Sequence, residues 1–425
     1  MQQRCSFAAL IFLLIFYKTI TFVEVIILGV VVQKYGGSSV GTVEKIKEVA
    51  KTVVKRKDKG DSIVVVVSAM GDTTDELIAL SKGISDNPDK RELDALLSTG
   101  EMISCSLLAM AIKALGYDAV SYTAYQIGIK TIGPYGKSLI DNIDGEKLRE
   151  SLIEGKIVIV AGFQGLNEEG DITTLGRGGS DTSAVAMALR LGGLCEIYTD
   201  VDGIYSVDPR QYKAAKRLDE IDYEEMLELS SLGAQVMHSR SVELGQKYKI
   251  PIHVGLSNEG IGTVIREVNK MNIESKPVTG IATSDDDIAI TIQNITNDVN
   301  LTSNIFERIA DKRINVDMIS QTTPLNNLIN ISFTIPKTDL NECLTLLNEF
   351  TSKEDITIDE DITKFSIVGI GMKTTSGVAS TMFKIFAENN IQIKMITTSE
   401  IRITCAIKRE DKLKAVAAMA RKFDL

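Results

Sequence analysis

Between Ser62 and Ser68 the chain runs Ile63-Val64-Val65-Val66-Val67, five β-branched residues with no polar break. A strand with one wet face alternates apolar and polar residues, because successive side chains point to opposite sides. An unbroken apolar run buries both faces, which is the habit of parallel sheets covered by helices. Further strand candidates are Ile27–Gln33, Ala119–Thr123, Lys156–Val160, Glu196–Thr199 and Pro251–Gly255. Amphipathic helical stretches lie between them, at Val43–Lys55, Leu93–Leu115, Asp181–Leu191 and Tyr223–Leu229. This alternation predicts an α/β fold, a mostly parallel sheet sandwiched by helices.

A chain of 425 residues holds two or three domains. Its 44% hydrophobic and 24% charged residues are those of a soluble globular protein. The net charge of -10, with no long basic run, makes nucleic acid and anionic membrane poor partners. Cys5, Cys105, Cys195, Cys343 and Cys405 are scattered, with no C-x-x-C and no His at ligand spacing. That argues against a zinc site and a disulfide framework, and for a reducing, cytoplasmic setting. Only two histidines occur; His253, in the apolar run from Ile250 to Val254, reads as a packed strand residue. Phe7 to Phe16 and Val25 to Val32 are apolar runs broken by Lys18 and Glu24, so no clean span of about 20 apolar residues forms. Residues 1–26 read as a hydrophobic extension ahead of the first domain, the alternative being a membrane anchor.

The last third repeats itself. Ile305 to Ile319 and Met382 to Ile396 share their apolar positions at a constant offset, and each copy reads strand, helix, strand, strand, helix. The first copy continues into a final strand, Ile356–Ile362, whereas the second ends in the helix Lys412–Phe423 with no strand left. Val278–Thr283 is a spare strand upstream. Strand counting therefore nests the first repeat inside the second. The expected domains are 27–270, a linker from Val268 to Pro277, and a tail over 278–425, in which 284–362 sits between 278–283 and 363–425.

Four polar loops carry the candidate chemistry. Lys34-Tyr35-Gly36-Gly37-Ser38-Ser39-Val40-Gly41 follows a strand and precedes a helix, so its backbone N–H groups can turn toward an anion. Thr42 stands where a P-loop has its lysine, and the lysine here comes before the glycines; a plain tight turn is the competing reading. Ser68-Ala69-Met70-Gly71-Asp72-Thr73-Thr74 ends the Val-rich strand, where α/β sheets bind ligands, and also reads as a helix-capping cluster. Thr174-Leu175-Gly176-Arg177-Gly178-Gly179-Ser180-Asp181 sets an arginine among glycines at a helix start, suited to a bidentate grip on a carboxylate. The fourth loop, Thr199 to Arg210, offers Asp200, Tyr205, Asp208 and Arg210, groups that can bind a nucleotide.

These four loops, in this order, resemble the aspartate kinases of the amino-acid kinase superfamily, and the tail resembles their paired ACT domains. The resemblance implies a carbamate-kinase-like catalytic domain followed by two ferredoxin-like modules. It implies transfer of phosphate from ATP, with nucleotide-bound Mg²⁺, to L-aspartate, the first step toward lysine, threonine, methionine and diaminopimelate. Lys34 and Asp181 would be catalytic. Lys34, Tyr35, Gly36, Gly37, Ser68, Thr199, Asp200, Tyr205, Ser206, Val207, Asp208, Pro209 and Arg210 would hold the nucleotide. Thr74, Glu101, Arg177, Gly178, Gly179, Ser180 and Asp181 would hold aspartate, Arg177 on its α-carboxylate, Glu101 and Asp181 near its α-ammonium. The ACT domains would bind lysine, threonine or both, and pair between chains in a homo-oligomer.

Three positions depart from the family pattern. Gln235 stands where many members have a phosphate-contacting lysine, Thr375-Ser376-Gly377-Val378 replaces a His-Pro-Gly-Val-like loop, and Asn297-Asp298-Val299-Asn300 lacks the usual Pro-Gly. Competing functions are a kinase of glutamate, carbamate or UMP, and a non-catalytic amino-acid sensor. Met271, just before the tail, is a candidate internal start for a separate regulatory subunit.

Overall fold

The computed structural model describes residues 29–233, 236–257, 262–268 and 276–425. The expectations for 1–26, Gln235 and Met271 lie outside the described residues, as does most of the 268–277 linker. The chain divides after Tyr198 into two compact units, inside the stretch read from sequence as one domain.

The first unit is built on β1 (Val30–Tyr35), β2 (Ser62–Val67), β3 (Ala119–Tyr122), β6 (Ile157–Ala161) and β9 (Leu194–Tyr198). They are parallel, in the order β9-β1-β2-β6-β3. The first strand runs two residues beyond the expected Gln33 and takes in Lys34 and Tyr35. One face, with Val31, Tyr35, Ile63, Val65, Val67 and Ile159, packs on α1 (Val43–Lys57) and α3 (Lys90–Ala114). Between these helices comes α2 (Thr73–Ile84). The opposite face, with Val32, Val64 and Val66, is equally buried, on the side of α5 (Gly179–Leu191), whose Ala184, Val185, Met187 and Ala188 are buried too. Helix α3 is apolar and long enough to cross a membrane by composition, but here half of it is packed inside the unit.

A second sheet was not expected. The short strands β4 (Ile129–Ile132), β5 (Leu139–Ile143), β7 (Gln164–Leu166) and β8 (Ile172–Thr174) join in the order β5-β4-β7-β8, with α4 (Glu146–Ile153) following β5. At three to five residues each, they lack the periodicity that reveals a strand.

The second unit opens with β10 (Glu220–Ile221), α6 (Tyr223–Ser231), α7 (Ser239–Tyr248), β11 (Ile252–Gly255) and β12 (Thr263–Ile265). His253 lies in β11, as expected. Helix α6 starts with a capping box, the Asp222 carboxylate accepting the Glu224 N–H at 2.9 Å while Glu225 reaches back. Next come β13 (Gly280–Ser284) and β14 (Asp287–Thr296), α8 (Val299–Asp311), β15 (Ile319–Gln321), β16 (Leu328–Pro336), α9 (Leu340–Leu347) and β17 (Ile356–Asp359). The chain ends with β18 (Ile362–Val368), α10 (Val378–Glu388), β19 (Ile393–Thr398), β20 (Arg402–Lys408) and α11 (Lys412–Phe423).

The first repeat forms the sheet β15-β16-β14-β17 and the second forms β13-β18-β20-β19. In the second, β13 pairs antiparallel with β18, Gly280 opposite Val368, so a strand that precedes the first repeat completes the sheet of the second. The two ferredoxin-like modules are nested. The strand read as Ile356–Ile362 is two: β17 stops at Asp359, and Ile362 opens β18. Equivalent apolar positions fill the two cores, Ile305, Ile309 and Ile314 in one, Met382, Phe386 and Ile391 in the other. Each such buried side chain contributes roughly 1.5–3 kcal/mol.

Candidate active site

Three of the four loops converge at the carboxyl ends of β1 and β2. Lys34 is the penultimate residue of β1, and strand alternation sends it to the face opposite Tyr35. The glycine loop then turns through a short 3-10 segment, Gly37–Ser39, into α1, whose cap Thr42 accepts the Lys45 N–H at 3.3 Å. Gly71 N–H donates to the Gly37 carbonyl at 3.1 Å, so the first two loops touch backbone to backbone. A Cβ on Gly37 would lie 2.8 Å from the Ala69 carbonyl oxygen, a clash that only glycine avoids. Gly100 is as constrained: a Cβ there would sit 2.8 Å from that of Ala69, and this close approach seats Glu101 of α3 beneath the second loop.

The third loop enters α5 through Gly178, whose φ of 71° is left-handed. Asp181 lies in the first turn of α5, where the helix dipole favours a carboxylate. Its Oδ1 is 2.6 Å from Lys34 Nζ, and both side chains are about nine-tenths buried. The Lys34–Asp181 pair therefore joins the first loop to the third.

These residues enclose a cavity of about 280 Å³. It is lined by Lys34, Gly37, Ser68, Ala69, Gly71, Thr74, Glu101, Phe163 and the run Gly176 to Asp181. Glu101 is 4% exposed; its Oε1 accepts the Ala69 N–H at 3.1 Å, and its Oε2 has no partner among the described residues. Burial pushes its carboxyl up to about 7, against the pull of the Ala69 N–H. Arg177 is exposed at the cavity wall and makes no ion pair among the described residues. The cavity thus presents a buried carboxylate with one unpartnered oxygen and an exposed guanidinium without an ion pair among the described residues, beside a Lys–Asp ion pair. A small zwitterion complements that set.

Of the expected site residues, Lys34, Gly37, Ser68, Thr74, Glu101, Arg177, Gly178, Gly179, Ser180 and Asp181 all line this cavity. Gly36 is not part of the lining; its N–H points to the Tyr198 carbonyl at 3.4 Å. The Tyr35 side chain is fully buried, stacked on Tyr198 with centroids 5.0 Å apart, and its carbonyl accepts the Ser68 N–H, so it faces the core and not the cavity. Phe163 was missed. It holds a left-handed φ of 68°, costly for a bulky residue, and its carbonyl accepts the Leu175 N–H at 2.8 Å. The sequence signal was there: Phe163 follows a Val-rich strand between Gly162 and Gly165.

The fourth loop lies in the second unit. Thr199 Oγ1 donates to Asp200 at 2.9 Å, Tyr205 OH to Asp202 at 3.0 Å, and Arg210 grips Asp208 through Nε and a terminal nitrogen at 3.0 and 2.9 Å. Pro209 and Arg210 are exposed. Ser206 and Val207, by contrast, are each 1% exposed. Ser206 exchanges hydrogen bonds with the Lys216 backbone, and its carbonyl accepts the Ile281 N–H at 2.7 Å. Val207 packs in the core of the second repeat. Both are consumed in tying this loop to β13.

Among the described residues no three His, Cys, Asp or Glu side chains gather into a metal cluster. A Mg²⁺ ion carried on nucleotide phosphates fits such a site, because it keeps its waters and asks for few protein ligands.

The sequence pattern of the amino acid kinase family matches residues 29–255, and that of an ACT domain matches 281–350 and 365–423. Aspartokinase 2 of Bacillus subtilis is 47% identical over 403 residues, which is 94% of this chain and 98% of that one. The crystal structure of E. coli aspartokinase III in complex with aspartate and ADP (R-state) superposes with a TM-score of 0.77 at 24% identity, over 92% of this chain and 99% of that one. The same enzyme in complex with lysine and aspartate (T-state) gives 0.75 at 23% identity, over 93% and 99%. With a kinase sheet, a charged cavity at its loops, nested ACT modules and a near full-length relative, the chain belongs to the aspartokinase family, phosphotransferases with a carboxyl group as acceptor.

Proposed function

We propose that this chain transfers the γ-phosphoryl group of ATP to the β-carboxylate of L-aspartate, giving ADP and 4-phospho-L-aspartate in the cytoplasm. The observation that carries this reading is one cavity lined by both the unpartnered Glu101 Oε2 and an Arg177 free of ion pairs among the described residues. Glu101 takes the α-ammonium and Arg177 the α-carboxylate, which leaves the β-carboxylate to face Lys34. That carboxylate has a free pKa near ~3.9, so it is already ionised and no general base is needed. One of its oxygens forms the new P–O bond as the bond from the γ-phosphorus to the departing ADP oxygen breaks. Two anions must meet, and this is the barrier the protein lowers. Lys34 exchanges Asp181 for a phosphate oxygen, while the N–H groups of the glycine loop face the transferring group. Nucleotide-bound Mg²⁺ supplies further charge neutralisation. The resemblance assigns the rest of the nucleotide to Thr199, Asp200, Tyr205, Asp208 and Arg210.

The same reading takes 27–270 as catalytic and 278–425 as regulatory, with 284–362 nested between 278–283 and 363–425. Lysine, threonine or both bind the ACT modules and inhibit, and copies of the chain pair through these modules. Nucleic acid and membrane have no part in the activity. ADP release measured with aspartate, glutamate, carbamate and UMP tests the acceptor, and the same assay with added lysine or threonine tests the effector. Turnover of glutamate in preference to aspartate overturns the assignment.

A further inference from the structure

Asp94 lies on α3, 1% exposed, two helical turns before Glu101 and so on the same face of the helix. Its carboxylate is fully engaged. Oδ2 accepts the backbone N–H of Thr174 at 2.7 Å and that of Gly136 at 2.8 Å, and Oδ1 accepts the Thr174 hydroxyl at 2.8 Å. Thr174 closes β8 and begins the loop that carries Arg177. Gly136 lies in the neighbouring turn, against which the Arg177 loop packs. A Cβ on Gly176 would sit 2.9 Å from the Gly136 carbonyl oxygen, and Ser138 N–H donates to the Thr174 carbonyl at 3.0 Å. One buried carboxylate therefore holds both the start of the Arg177 loop and the turn it packs against. Seven residues later, the same helix presents Glu101.

We propose that Asp94 is a positioning residue that sets the distance between the carboxylate-gripping Arg177 and the ammonium-gripping Glu101, and so sets affinity for the amino-acid substrate. The proposal rests on the aspartate reading of this cavity. The physical argument is one of rigidity. Arg177 sits between left-handed glycines at 176 and 178, residues whose backbone carries no side-chain restraint of its own, so the loop takes its place from what it is tied to. Glu101 sits on a 25-residue helix, which does not flex at this scale. Without a tie between them, the two ends of the substrate would be gripped by groups with no fixed separation. Asp94 makes that tie on the helix itself, about 10 Å along the axis from Glu101.

The test is steady-state kinetics of Asp94→Ala, Asp94→Asn and Thr174→Val, with thermal melting of each. In Asp94→Ala the KM for aspartate should rise about 10- to 100-fold, the scale expected when a binding group shifts by about 1 Å, while the KM for ATP stays within about twofold. Asp94→Asn should recover most of the wild-type KM, because its amide oxygen still accepts both N–H groups and its NH₂ donates to the Thr174 hydroxyl. Thr174→Val, which removes one contact of three, should fall between. An unchanged aspartate KM in Asp94→Ala alongside a lowered melting temperature overturns the proposal, as does an equal rise in both KM values. If Asp94→Ala does not fold, Thr174→Val decides, and a wild-type aspartate KM in that variant overturns the proposal. Absence of aspartate turnover in the wild type is a different result: it removes the substrate reading itself.

Discussion

Glu101 and Glu225 are the same residue type at the same depth, each 4% exposed, and they live differently. Glu225, on α6 in the second unit, spends its oxygens on the protein. Oε1 accepts the Thr279 hydroxyl at 2.7 Å and the Ile370 N–H at 2.8 Å, tying α6 to the second ACT module. Its neighbours do likewise, Glu228 with Arg402 at 3.0 Å and Glu224 with Lys373 at 3.0 Å. Glu101 has one backbone donor and a bare oxygen. Burying an unpaired charge is expensive, so a protein that keeps one leaves it for a ligand to complete. One carboxylate keeps an oxygen open to a cavity; the other uses its oxygens to join two elements.

The largest effect expected from this contrast falls on the cavity's cation. Lys34→Ala should cut kcat by roughly 10²–10³ or more, the cost of removing one group that stabilises developing charge. The KM for aspartate should move far less, and initial-rate kinetics separate the two.

Glu101→Gln keeps the shape and removes the charge. It should raise the KM for aspartate about 10- to 100-fold, in line with roughly 1.5–3 kcal/mol for a hydrogen bond to a charged group. The same change at Glu225 should leave that KM within about twofold when no effector is present, because its partners are all protein groups.

The raised carboxyl of Glu101 gives a pH test. The ionised form, which holds an ammonium, predominates above about 7 in the free protein. Aspartate affinity is therefore fully present above that pH. It is lost as pH falls below, by up to about tenfold per unit. In Glu101→Gln this dependence should vanish, and a KM for aspartate that is flat between pH 5.5 and 8 in the wild type would break the comparison.

Glu225→Ala should have the smallest effect on catalysis and a measurable one on stability, about 1–3 kcal/mol from three stranded donors, read in a chemical melt. Because Glu225 joins α6 to the second module, it should also blunt inhibition by any effector acting through that module.

The cavity was legible because glycine loops are local: their chemistry sits within eight or ten consecutive residues and needs no knowledge of packing. The nested modules were legible by strand count alone. The burial of Tyr35 was legible too, since alternation along β1 places it opposite Lys34. That of Ser206 and Val207 was not, because what covers them includes β13, more than seventy residues away. Asp94 was hidden for the same reason, its partners at Gly136 and Thr174 being brought near only by the small four-stranded sheet. Phe163 was legible in part: its place between Gly162 and Gly165 after a Val-rich strand marks a turn, while its left-handed backbone angle shows only in the fold.

The central claim is transfer to aspartate with Lys34 at the reacting group. It is tested most directly by ADP release from the full chain with ATP and Mg²⁺, in wild type and Lys34→Ala, across aspartate, glutamate, carbamate and UMP. Release that depends on aspartate alone and collapses in Lys34→Ala is the predicted result. Release that ignores aspartate, or that persists at the wild-type rate in Lys34→Ala, would contradict it.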